Sequence, residues 1–495
     1  MSCGRSSGHH VIPGAVAVLT ALGILWILRL ADPAVPTTVR FIGLLTAVTA
    51  LLPGIYYLKQ APAGRRPIPF LPLVGLLYAL YFGFPLLLGT PDAPRSDLVL
   101  DPGEDLIDPA GFALVGWMLL MAGYWAVGRV VRMPRWDLGR YGSSGTLLRS
   151  GLVFLVVGTV HDLARLTHHV PEVLAGLSTL VTLLGWVGAG FLVSLWARGR
   201  LGTLSKLFGA FAMVVLSLLQ IATGSVANAA RLWLVLFVAA WIGRGRRLRR
   251  LWLVAGCSAV LAVAVLRGAA GEYRAVAWWG GDLGPLQKVE TYLSIVARRI
   301  NEQGAVGAIR SGFETIRDRS SYVGVFGDVV RKTPASIPFW KGRTYYSLVG
   351  AFIPRFVWPS KPVKNLGQRF GHRYGYLHPT DTSTSFNFPF LIEFYVNFGA
   401  LGVVLGMSIV GMAYRIVNDT INHPEQDALP SLLALGLLVP MLTVESDFSL
   451  VFGGLVLNGG ALFIVLRGLT RGVAAQEHTA RNSHRAEVPR QRTAV

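Results

Sequence analysis

Charge and cysteine are both scarce in this chain. Only 15% of its residues are charged, against about 25% in ordinary soluble domains, while 53% are hydrophobic. Mean hydropathy is +0.51 over 495 residues. A soluble fold of this size cannot hide so much apolar surface, which excludes that class. The two cysteines, Cys3 in the N-terminal tail and Cys257 inside an apolar run, support neither a disulfide framework nor a thiolate metal site. Also missing are a Walker loop, an HExxH pair, a CxxC set and a GxSxG elbow. Nucleotide hydrolysis and a tightly held metal therefore have no motif to rest on, and no cofactor is expected.

Acid is short too, with 26 Asp and Glu against 46 Lys and Arg, giving a net charge of +20. That excess does not point to nucleic acid. Most of it sits in short loops between apolar runs, as the positive-inside rule requires. The first apolar run continues past signal-peptide length with no small-residue cleavage site, so it reads as a retained helix.

What the chain has is hydrophobic length. A helix needs about 20 residues to cross the hydrocarbon core, and hydropathy predicts twelve spans, at 11–30, 41–58, 70–88, 110–130, 149–161, 173–196, 205–223, 229–243, 251–267, 388–414, 429–446 and 449–467. Long runs without dyad alternation exclude a β-barrel, so the fold class is an all-α polytopic membrane protein. Residues 1–267 carry nine spans, 268–387 form one large external loop, 388–467 carry the last three, and 468–495 form a disordered basic tail. Alternate loops are basic, ending with "GRGRRLRR" from Gly243 to Arg250, whereas "TPDAPRSDLVLDPGEDLID" from Thr90 to Asp108 is acidic. That alternation predicts both termini in the cytoplasm.

The external loop is where function is expected to concentrate. Its first half predicts an amphipathic helix, with Leu286, Val289, Leu293, Val296 and Ile300 at three- and four-residue steps. Its second half, from Trp340 to Gly402, sets Lys341, Arg343, Arg355, Lys361, Lys364, Arg369 and Arg373 against two acids, Asp381 and Glu393. Clustered arginines suit a phosphate or diphosphate, and the interleaved aromatics suit sugar faces or a lipid interface. His372, His378, Asp381 and Glu393 are the proton acceptors of that stretch. Weaker features are "TGSVANAAR", which aims Arg231 at the same side, "ESDFS" with Glu445 and Asp447, and the GxxxG in "GVVLG".

The combination "IPRFVWPSKP", "FGHRYG", "TSTSF" and "EFYVNFGALG" resembles the O-antigen polymerase (Wzy-type) family of oligosaccharide repeat unit polymerases, over about Arg343 to Gly402. "TGS" followed by an arginine is similar to a turn of polymerases and O-antigen ligases, although Arg231 comes several residues later than the usual one. The resemblance implies a GT-C-like fold of about twelve transmembrane helices. It implies glycosyl transfer between polyprenyl-diphosphate-linked oligosaccharides at the outer face of a bacterial inner membrane, beside a flippase and a chain-length regulator. On this reading Arg231, Arg343, Arg355, Lys361, Arg369 and Arg373 take the diphosphate, His372 or Glu393 is the base, and Tyr374 positions sugar. A ligase would use nearly the same parts. A transporter or an assembly scaffold is the different-class alternative.

Overall fold

The computed structural model describes residues 35–60, 66–89, 105–131, 133, 144–167, 169–170, 177–247, 250–279, 283–351, 357–358, 365–382, 384–423, 428–455 and 458–464. The span expected at 11–30, the tail from 468 and the cations Arg355, Lys361 and Lys364 lie outside them. Every regular element among the described residues is helical. Nine helices among the described residues are long and apolar enough to cross a membrane, so the chain is a polytopic membrane protein. These are α1 (Thr37–Gln60), α2 (Phe70–Leu88), α3 (Ile107–Val130), α4 (Ser144–Leu166), α5 (Ser178–Ala197), α6 (Thr203–Ala222), α7 (Val226–Gly243), α8 (Arg250–Trp279) and α13 (Phe390–Ile421).

Three expected boundaries move. Helix α8 runs twelve residues beyond Arg267, to Trp279, because the Ala-rich pattern continues and Arg274 donates to Gly224 O inside the protein. Within the last two expected spans the described residues form α14 (Ala428–Met441) and an apolar helix that starts at Phe448. The turn that separates them follows Pro440, whose freed carbonyl accepts the Thr443 hydroxyl at 2.6 Å. The span expected at 388–414 is interrupted, as described below.

Small residues bring the helices together. A Cβ on Gly411 of α13 would overlap the Leu120 carbonyl oxygen of α3, and one on Gly123 would overlap the Ser408 carbonyl oxygen. Gly158 and Gly185 make the same close approach between α4 and α5. Gly411→Ala should therefore lower stability by about 2 kcal/mol, since overpacked backbone contacts cannot relax by a rotamer change. Thermal unfolding in detergent measures it, and an unchanged midpoint would mean that α3 and α13 are farther apart than described.

One end of the bundle is capped by α9 (Pro285–Ser320), α10 (Val323–Lys332), α11 (Tyr346–Ala351) and α12 (Leu366–Tyr374). Helix α9 occupies the segment predicted to be amphipathic and kinks at Gly304, at φ 72°. In its first half the buried residues are Tyr292 and Ile295, outside the expected stripe; of that stripe Val289, Val296 and Ile300 are half-buried, and Leu286 and Leu293 are exposed. The cap is pinned by Asp328 of α10, which is wholly buried. Its carboxylate accepts Lys332 Nζ at 2.7 Å and the Tyr376 hydroxyl at 2.8 Å, while Arg331 reaches Asp105 at 3.1 Å. A buried carboxylate persists only with such partners, and here they tie α10 to the turn after α12.

Candidate active site

The site grows from a break in α13. Phe398 (φ −141°, ψ 17°) and Gly399 (φ 60°, ψ −143°) leave the helical region, and the positive φ is one that glycine adopts freely. The segment 390–397 folds back on the segment 400–421. Gly402 lies against the Phe394 carbonyl and Gly406 against the Phe394 ring. In a continuous helix residues 394 and 402 would be about 12 Å apart.

A break frees backbone groups, and the strip 340–344 takes them up. Trp340 N donates to Val396 O at 2.8 Å, Lys341 N to Asn397 O at 3.2 Å, and Gly342 N to Asn397 Oδ1 at 2.8 Å. Asn397 Nδ2 donates in turn to Thr344 Oγ1 and to Glu393 O, both at 2.8 Å. Glu393 is fully buried one turn before this clamp. Its Oε2 accepts the Phe448 amide at 2.5 Å. Its Oε1 makes no hydrogen bond of ordinary geometry, with the Thr344 side chain and Asp447 beside the carboxylate.

The turn 445–449 joins the remaining pieces. Glu445 pairs with Arg231 of α7 at 3.2 Å, Phe448 holds Glu393, and Ser449 Oγ donates to Thr344 O at 3.3 Å. Asp447 and Ser449 line a cavity of about 80 Å³ together with Gly367, Ser385, Asn387 and Phe388. On the other side of α12, His372 and His378 line an open groove of about 620 Å³ with Tyr376 and Leu377. His372 Nε2 sits 2.9 Å from Asp381 O, and His378 Nδ1 sits 2.7 Å from Thr380 Oγ1.

The expected residues fall into three settings. Glu393, Arg343, Arg369 and Arg373 are brought together through the 340–344 strip. Arg369 and Arg373 place their guanidinium groups 5.4 and 5.2 Å from the Trp340 ring centroid, a cation–π arrangement that leaves both residues exposed. Arg373 also donates to Pro338 O at 2.7 Å. Arg343 is exposed next to buried Thr344. Arg231 meets the same turn through Glu445. Tyr374 is turned inward instead, its hydroxyl 2.7 Å from Thr333 Oγ1 and its ring packed on Phe370. Burial pushes its phenol up to about 12, so it stays neutral and serves as a wall of the cap. His372 lies on the groove and is not among the residues that line the cavity with Asp447 and Ser449.

Thr344, Asn397 and the "ESDFS" turn are the members that sequence reasoning underweighted. The visible signal was two acids in a tight turn between apolar runs. A family described as a domain of unknown function (DUF8712) matches residues 248–423, which takes in α8, the cap and the break in α13. No curated protein and no solved structure matches the chain. Over those residues the chain is similar to that family.

Proposed function

We propose that the chain polymerises polyprenyl-diphosphate-linked oligosaccharide repeat units by glycosyl transfer at the outer face of a bacterial inner membrane, with both termini cytoplasmic. The observation that carries this reading is Glu393: a fully buried carboxylate at a broken span, held by the Phe448 amide and set beside Asp447, which lines a small cavity. Arg343 lies on the strip that clamps the break, and Arg369 and Arg373 of α12 stack on Trp340 of that strip.

In the proposed reaction the acceptor hydroxyl oxygen attacks the anomeric carbon of the donor sugar. The bond from that carbon to the diphosphate oxygen breaks, and its electron pair leaves with the polyprenyl diphosphate. The hydroxyl proton passes to Glu393. Negative charge grows on the leaving group, which preplaced arginines stabilise more in the transition state than in the ground state. Neither nucleotide nor metal enters this scheme.

Glycan profiling of a strain lacking the chain tests it. Single repeat units should accumulate on the lipid carrier or on the final acceptor, and long chains should return with the wild-type gene. Complete polymer stranded on its carrier would indicate a ligase instead. One observation favours a different class: broken spans with buried charge also serve ion-coupled transporters. Dependence on a proton gradient separates the two, since glycosyl transfer requires none.

A further inference from the structure

We propose that Ser178 and His161 form a further catalytic site, a serine nucleophile and its base positioned by Asp162, that cleaves an acyl ester at the membrane interface. The site joins α4 to α5. His161 lies about 8 Å of helix from the end of the span Leu147–Leu166, and Ser178 is the first residue of the next span. His161 Nε2 is 2.9 Å from Ser178 Oγ, the separation that a nucleophile and its base need. On the other side of the ring, Nδ1 is 3.6 Å from Asp162 Oδ1. Catalytic contacts of this kind are often long before substrate arrives and tighten as the ring takes up charge. The carboxylate opposite Nδ1 assigns the ring proton to that nitrogen and leaves Nε2 to accept the serine hydroxyl. Ser178 is half-buried, so a substrate can reach it, whereas Asp162 is buried.

A polar clamp between helices does not account for this arrangement. Asp162 is already held from two helices: its Oδ1 accepts Thr182 Oγ1 of α5 and its Oδ2 accepts Gln220 Nε2 of α6, both at 2.6 Å. A carboxylate buried in a span persists with such partners, and these two already tie α4, α5 and α6 together. His161 adds nothing to that tie, because its Nδ1 is buried without a hydrogen bond and its Nε2 engages Ser178. What the tie does is fix the carboxylate beside the ring, the role of the third member of a catalytic triad. Ser178 also opens α5, whose N-cap Leu177 makes no side-chain cap. First-turn amides of a helix lack intrahelical acceptors, so they can receive an oxyanion. In the proposed reaction Ser178 Oγ attacks the ester carbonyl carbon while its proton passes to His161 Nε2. The bond from that carbon to the alcohol oxygen then breaks, and the leaving oxygen takes the proton from Nε2. Water or a second hydroxyl repeats the sequence on the acyl-serine, releasing an acid or a new ester. This proposal stands without the glycosyl-transfer reading.

The test incubates the purified full chain in maltoside detergent with a biotin-tagged fluorophosphonate and locates the adduct by peptide mass spectrometry. Ser178 should be labelled in the folded protein and not after heat denaturation. Ser178→Ala should abolish the adduct, and His161→Gln should slow its formation about 10²-fold or more, the share of a general base. Asp162→Asn should slow it as well, and Asp162→Glu, which keeps the charge, should slow it less. Protection of Ser178 by p-nitrophenyl dodecanoate alone would identify a lipid acyl group, and protection by p-nitrophenyl acetate a short one. Either result supports the site. Absence of an adduct at Ser178, protection by neither ester, or labelling unchanged in His161→Gln overturns it. Equal slowing by both Asp162 substitutions would overturn the positioning role of that carboxylate. The wild-type adduct, assigned to one residue, keeps the test decisive should a variant fail to fold.

Discussion

Glu393→Gln is expected to leave the chain folded in the membrane and to slow glycosyl transfer about 10²–10⁴-fold, the usual contribution of a positioned proton acceptor. Glutamine fills the same volume, and its carbonyl oxygen can still accept the Phe448 amide that Glu393 holds at 2.5 Å. Its amide nitrogen can donate toward Thr344. What it cannot do is take a proton. The substitution therefore separates chemistry from architecture, which Glu393→Ala would not, because that change opens a hole beside the orphaned Phe448 amide. Initial rates on purified protein, with unfolding midpoints for both forms, provide the comparison. A rate within about threefold of wild type would be too small for that role and would move it to His372.

Gly402→Ala is expected to damage stability and activity together. Its Cβ would meet the Phe394 carbonyl oxygen, a backbone atom that no rotamer change can move aside. Relief requires the segment 390–397 to lift off the segment 400–421, at about 3 kcal/mol for a contact of this kind. Because Glu393 rides on the displaced segment, activity should fall together with stability. Gly54→Ala in α1 is the matching control, since its Cβ meets open space. Fluorescence-detected size-exclusion chromatography shows whether the folded fraction drops for Gly402→Ala and holds for Gly54→Ala. Equal profiles would mean that α13 is continuous.

The membrane class was legible because hydropathy acts residue by residue: all nine long helices among the described residues coincide with runs visible in the sequence without any tertiary knowledge. The break in α13 was not. Glycine is common in membrane helices, so "NFGALG" reads as ordinary packing until Gly399 is seen at φ 60° with the 340–344 strip on the freed carbonyls. Arg267 and Arg274 carried a signal that went unread. Ending the ninth span at 267 put Arg267 at its edge and left Arg274 to the loop, although both lie within α8. The local likeness drew attention to Glu393, Arg343, Arg369 and Arg373, but it could not show that Tyr374 faces the core or that Arg231 pairs with Glu445. Those relations are long-range, and no spacing along the chain encodes them.

The most direct measurement places the purified full chain in liposomes with a polyprenyl-diphosphate-linked repeat unit as sole substrate, without nucleotide and without an ion gradient. The products are then resolved by mass spectrometry. Products of two or more repeat units, with polyprenyl diphosphate released in step, are the predicted result. Substrate recovered unchanged, from protein shown to be folded in the same liposomes, would contradict it.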